Sequence, residues 1–210
     1  MANSETPIET FEDDPDLGPL VDRYGRLELE PAADLFERML VSIVSQQLST
    51  DAARSIRSRL FETVEATPSG VRDAEAELLA DAGLSAQKID YARNLAAWFE
   101  ENDVDRSRFE DVPDEDVIEQ LTSIRGVGEW TAKMTLMFGL GRQDVFPVED
   151  LAIRRGMEQL VGAETRAAMY DRAERWRPYR SYAALYIWRF YADESSSDNE
   201  NPSDDDIVSE

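Results

Sequence analysis

Across residues 35–191 the apolar side chains recur at the spacing of an α-helix, and no stretch sustains the period-two alternation of a half-buried strand. Leu35, Phe36, Met39, Leu40, Ile43 and Val44 form one stripe, on a helix opened by Pro31. Ser49 or Thr50 can cap a following helix with Ala53, Ile56, Leu60 and Phe61 on one face. Another begins after Ser85 and carries Ile89, Ala92, Leu95, Ala96 and Phe99, and Pro113-Asp114 starts one with Val117, Ile118, Leu121 and Ile124. Later helices are expected at about 150–160, 164–176 and 180–191. About ten helices with short connections predict an all-α protein.

A chain of 210 residues makes one ordinary domain or two small lobes sharing a core, and 42% hydrophobic residues exclude wholesale disorder. The ends differ from the rest. Residues 1–12 lack periodicity and 192–210 form a Ser/Asp/Glu/Asn run, so both are expected to be disordered around an ordered 13–191. Cysteine is absent, which excludes disulfides, thiol nucleophiles and a cysteine-held iron–sulfur cluster. Histidine is also absent, which excludes a Ser-His-Asp triad and histidine metal sites. Acid–base work is left to Asp and Glu, backed by Lys, Tyr and water. No apolar run approaches the roughly 20 residues of a membrane span and no signal peptide opens the chain, so a cytoplasmic protein is expected.

The net charge is −23, from 45 acids and 22 bases, and of those bases only Lys88 and Lys133 are lysines. Acid excess with lysine nearly absent fits adaptation to molar salt, where repulsion is screened over about 3 Å. The excess is not uniform. Residues 121–190 carry 8 acids against 11 bases and are the one non-acidic region, where an anionic partner would dock. An ordinary arginine-rich helix surface accounts for that local balance equally well.

The same region holds the most informative stretch, LTSIRGVGEWTAKMTLMFGLGRQDVFPVEDLAIRRG at 121–156. A helix ending at Ile124, the turn Arg125-Gly126-Val127-Gly128 and a second helix from about Glu129 make a hairpin over about 115–139. Two glycines permit positive φ and leave the second helix's first N–H groups exposed, an anion site suited to a phosphodiester. A plain αα-corner would use the same turn. Asp144-Val145-Phe146-Pro147-Val148-Glu149-Asp150 then leads into the next helix, where Asp150 is well placed as an N-cap.

Hairpin, Gly-Val-Gly and Pro-Val-Glu-Asp together resemble the helix–hairpin–helix/Gly-Pro-Asp (HhH-GPD) superfamily of base-excision DNA glycosylases. Ile43-Val44-Ser45-Gln46-Gln47-Leu48-Ser49, Gly83-Leu84-Ser85 with Lys88 and Tyr91, and the run from Arg175 to Trp188 are similar to segments of its alkylation-repair branch. The resemblance spans about residues 30–190. It implies two closely packed helical lobes with the active site in a cleft between them. It further implies that Asp150 is the catalytic acid, with Glu149 as the obvious competitor. Trp130 and Trp188 become candidates for the base pocket, with Tyr91 and Tyr182 behind them. Gln47 or Leu48 would wedge into the gap left by a flipped nucleotide, and Gln46 would bond an exposed base or merely cap its helix. Gly126, Val127, Gly128, Thr131 and Lys133 would meet phosphate, and backbone at Ile124 and Gly126 would hold a monovalent cation.

Bifunctional relatives use a lysine nucleophile where this chain has Trp130, which cannot form a Schiff base. The resemblance therefore implies a monofunctional glycosylase for alkylated purines, acting as a monomer on double-stranded DNA at the nucleoid with no required cofactor. Two alternatives stay open: the same fold acting on deaminated or oxidised bases, and a catalytically silent DNA-binding module.

Overall fold

Capping chemistry sets most helix starts in this chain. In the computed structural model, which describes residues 6–199, Asp34, Ser49, Thr67, Ser85, Asp150 and Thr165 each accept a backbone N–H of the helix that follows. Along the chain these helices are α1 (Pro7–Phe11), α2 (Gly18–Tyr24), α3 (Leu35–Ser45), α4 (Thr50–Thr63), α5 (Pro68–Asp73) and α6 (Ala76–Asp81). They continue as α7 (Ala86–Asn102), α8 (Asp114–Thr122), α9 (Glu129–Phe138), α10 (Leu151–Val161), α11 (Arg166–Ala173) and α12 (Arg180–Asn199). Short 3-10 turns lie at Arg106–Phe109 and Glu174–Trp176, and no strand occurs among the described residues.

The chain divides after Leu29 and after Arg142. Residues 30–142 form one unit, in which α3 and α7 bury Met39, Leu40, Ile43, Leu95, Ala96 and Phe99. The flanking segments together form the other, around Phe11, Ile153, Met157, Trp176, Tyr186 and Ile187.

The ends depart from the disorder that the sequence pattern predicts. Thr6 and Glu9 form a reciprocal capping box, the Glu9 carboxylate accepting the Thr6 N–H at 2.7 Å, and this opens α1. Phe11 is fully buried and meets Tyr186 edge-on with centroids 6.1 Å apart. Residues 1–5 lie outside the described residues. At the other end α12 continues eight residues beyond 191, with Arg23 pairing Asp193 at 3.4 Å and Glu194 at 3.5 Å. Residues 200–210 lie outside the described residues. The helix at 35 is opened by the Asp34 carboxylate, which accepts the Glu37 N–H at 2.7 Å, and not by Pro31. Helices α2, α5 and α6 have no counterpart in the sequence reading, because six or seven residues do not complete two turns of apolar periodicity.

Two contacts in the second unit place functional residues. The segment before α10 is clamped to the start of α12: Ser181, fully buried, accepts the Val145 N–H at 3.0 Å through Oγ and donates its own N–H to the Gln143 carbonyl at 2.9 Å. Arg180 reaches Asp144 at 2.7 Å and Glu174 at 3.0 Å. Helices α10 and α12 then cross at Gly156, where an added Cβ would lie 2.5 Å from Ile187 Cγ2. Alanine normally improves a helix interior over glycine by about 1 kcal/mol, whereas overpacking costs about 1–3 kcal/mol. The clash wins here. Gly156→Ala is expected to lower the stability of this unit by about 1–2 kcal/mol, read as a lower urea midpoint; a higher midpoint would disprove the close crossing.

Candidate functional site

In the unit formed by 30–142, the hairpin is built from α8, a turn and α9. The Ile124 N–H returns to the Leu121 carbonyl at 3.1 Å and the Val127 N–H to the Ile124 carbonyl at 2.9 Å, which closes the turn. The two glycines do different work. Gly126 has φ +103°, and a Cβ there would lie 2.2 Å from Tyr91 Cγ, so both backbone and space demand glycine. Gly128 has φ −95° with nothing within 4 Å of a built Cβ. It is the N-cap of α9, provides no side-chain cap and lies at the positive end of that helix.

Around this end lies a cavity of about 510 Å³ whose walls include Gln46, Gln47, Lys88, Tyr91, Gly128 and Trp130. The structure thus brings together, within one unit, the hairpin, one tryptophan and the Gln46-Gln47 loop. Gln47 is one of two non-glycine residues with positive φ among those described, at +57°, and it is exposed beside Leu48, which is 38% exposed. An L-residue held in that conformation at a loop tip carries strain that the surrounding fold must maintain.

The residues expected at phosphate and base have these places in the fold. Gln46 Nε2 donates to the Gly126 carbonyl at 3.0 Å and to Thr131 Oγ1 at 3.2 Å, so it ties its loop to the hairpin. Thr131 is buried, as is Val127, so neither side chain faces a phosphate. Lys133 is 7% exposed and pairs with Glu129 at 3.3 Å one turn away, which removes it from the phosphate set. Tyr91 packs its ring on Gly126 and also lines the cavity. The carbonyls proposed to hold a cation already have donors, Val127 N–H on Ile124 and Gln46 Nε2 on Gly126. Each carbonyl oxygen keeps a second lone pair. Among the described residues no group of three or more carboxylates could hold a metal.

In the other unit, Asp150 is the N-cap of α10, as its spacing predicts, and more besides. A single oxygen, Oδ1, accepts the Ala152 N–H at 2.9 Å, the Ile153 N–H at 3.1 Å and the indole Nε1–H of Trp188 at 2.9 Å. The competitor Glu149 is turned toward Tyr170, whose hydroxyl lies 3.4 Å from Oε1. Arg154 braces the chain before α10 by donating to the carbonyls of Val148 at 3.1 Å and Glu149 at 2.6 Å. Trp188 is half-buried, and besides Asp150 it borders a depression of about 340 Å³ with Leu27, Glu28, Leu185, Arg189 and Ala192. Tyr182 does not join it. It lines a separate small cavity with Thr6, Pro7 and Ile8, where burial pushes its phenol pKa up, and it packs edge-on against Tyr179 with centroids 6.1 Å apart.

Sequence reading missed Arg154, Arg180 and Ser181 as supports of the Asp150 segment. The signal was present in the Arg-Pro-Tyr-Arg-Ser run at 177–181, whose role only the fold discloses: Arg180 and Ser181 grip Asp144 and Val145.

The HhH-GPD superfamily base excision DNA repair protein family matches residues 40–180. DNA-3-methyladenine glycosylase 1 of Schizosaccharomyces pombe is 34% identical over 163 residues, which are 73% of this chain and 71% of that one. The DNA-3-methyladenine glycosylase of Saccharomyces cerevisiae is 34% identical over 174 residues, 77% of this chain but 59% of its own length. Among solved structures, a DNA-3-methyladenine glycosidase from Bacillus halodurans aligns at a TM-score of 0.77 and 32% identity, covering 93% of this chain and 94% of that one. The S. pombe 3-methyladenine DNA glycosylase in complex with abasic DNA aligns at 0.78 and 31% identity, covering 87% and 95%. Because the matched stretch runs from within α3 to the first residue of α12, and so takes in both the hairpin and Asp150, this chain belongs to the HhH-GPD superfamily of base excision DNA repair proteins.

Proposed function

We propose that this chain is a monofunctional DNA glycosylase that everts and excises alkylated purines from double-stranded DNA in base excision repair. It works as a monomer at the nucleoid and requires no cofactor. Relatives whose names specify 3-methyladenine support the substrate class. No helix among the described residues is long and apolar enough to cross a membrane. The observation that carries the chemistry is the three-donor grip on Asp150 Oδ1.

Cleavage of the N-glycosidic bond sends the bonding pair to the base and leaves positive charge on the deoxyribose. A carboxylate already oriented beside C1′ stabilises that charge without reorganising, and it can take the proton of the water that adds to C1′. Two amides and an indole on one oxygen supply that orientation, since they fix the plane of the carboxylate. A purine alkylated on a ring nitrogen is cationic and leaves as a neutral base, so it needs little acid assistance. The same cation favours an indole face, by about 0.5–2 kcal/mol, which suits Trp188, beside Asp150, as a partner. The open N-terminus of α9 binds the backbone, and Gln47 with Leu48 fills the gap left by the everted base.

The charge of −23 fits this role in a salt-adapted protein. Backbone amides and aromatic faces lose less affinity to salt than lysine–phosphate pairs do.

Asp150→Asn keeps an oxygen for the three donors and still caps α10, so it is expected to fold while losing base release at least about 100-fold. Release from methylated duplex measured by chromatography checks this, and unchanged release would refute the assigned role. Trp188→Phe removes one donor to a charged acceptor and is expected to slow release by about tenfold or more at unchanged fold. With Trp130 at the nucleophile position, borohydride should trap no covalent adduct with DNA, and a trapped adduct would show a lyase. Folding and base release should both persist in molar KCl and weaken in dilute buffer; the opposite dependence would end the salt-adapted reading.

A further inference from the structure

The segment around Ser85, Lys88 and Tyr91 takes no part in the chemistry above, yet it touches both DNA-facing elements of its unit. Lys88 Nζ donates to the Val44 carbonyl at 2.6 Å, in the last turn of α3 and just before the Gln46–Leu48 loop. One turn further along α7, the Tyr91 ring fills the space that Gly126 leaves. Gln46 completes the circuit through the Gly126 carbonyl and Thr131 Oγ1. The end of α3, the start of α7 and the turn before α9 therefore hold one another at three points.

We infer that Lys88 is a positioning residue for base eversion: by anchoring the C-terminal turn of α3 to the start of α7, it sets the Gln47-Leu48 wedge at a fixed offset from the hairpin that grips the DNA backbone. This rests on the glycosylase reading. A cation at the negative end of α3 satisfies an orphan carbonyl and complements the helix dipole. Residue type supports the assignment. All but two of the 22 bases in this chain are arginine, and position 88 keeps lysine. A compact ammonium fits one carbonyl in a half-buried slot, whereas a planar guanidinium is shaped for two acceptors. The anchor matters because Gln47 holds a left-handed backbone that relaxes if its neighbours loosen. A loose wedge still meets DNA at the hairpin but pushes less effectively on a paired base.

The test compares the wild type with Lys88→Met and Leu48→Ala in single-turnover release of one methylated purine. The purine is placed either opposite its normal partner or opposite an abasic analogue, where eversion costs less. Lys88→Met should lose about tenfold on the paired duplex and much less on the unpaired one, matching Leu48→Ala. Equal loss on both duplexes, or none on either, overturns the inference. The milder Lys88→Arg should give the same pattern and covers the case in which Lys88→Met fails to fold. A second readout does not depend on chemistry. The fluorescence of 2-aminopurine opposite the target site should rise when wild type binds and rise less with Lys88→Met at equal occupancy. An equal rise overturns the inference. Absence of base release by the wild type on either duplex would instead overturn the glycosylase reading, and the fluorescence arm would still decide the role of Lys88.

Discussion

One carboxylate oxygen ties together the parts of the unit that carries it. Asp150 Oδ1 accepts from two amides at the start of α10 and from an indole on α12, so three donors from two helices converge on a single acceptor. The convergence depends on α10 and α12 crossing closely, which Gly156 allows and Ile187 fills. It depends equally on the entry to α10, because a shifted Pro-Val-Glu-Asp segment would move the N-cap off its amides. That entry is held by Ser181 on Val145, Arg180 on Asp144 and Arg154 on the Val148 and Glu149 carbonyls. Capping and catalysis are therefore not rival accounts of Asp150. The cap is the means by which the carboxylate is oriented.

The hairpin unit solves a different problem, binding a polyanion on a chain with large negative charge. Its answer uses few cations. Lys133 is buried against Glu129, and Lys88 is spent on a carbonyl of α3. Arg125 and Glu129 are exposed at the turn, and α9 starts behind Gly128 with no side-chain cap. Fixed N–H dipoles need no counterion to be displaced from themselves, so their attraction for a phosphate falls less with salt than that of an exposed ammonium.

Much of this was legible in the sequence, and the misses share a cause. Helix type followed from periodicity in α3, α7 and α8, and the caps at Ser49 and Ser85 followed from residue type. The residue type at Asp150, ahead of the Leu-Ala-Ile-Arg run, located the cap of α10. Direction in space was not legible. Lys133 and Thr131 lie beside the glycines in sequence, yet both are buried, because α9 is enclosed on every side from Thr131 to Met137. Gln46 and Gln47 are adjacent and alike in type, but the left-handed φ at Gln47 sends one to the hairpin and the other to solvent. The short capping box at Thr6 and Glu9 was present as a four-residue pattern, and the polar composition around it masked the helix it starts.

The absence of histidine and cysteine sharpens the mechanistic argument. An enzyme that must break a strong glycosidic bond to a neutral base needs an acid to protonate the leaving group, and near neutral pH histidine is the usual source. This chain has none, and Asp150 Oδ1 is held as an acceptor of three hydrogen bonds. A base that carries its own positive charge departs without that help. The same logic explains why an aromatic donor serves beside the carboxylate. An indole N–H orients the charge without competing to protonate it.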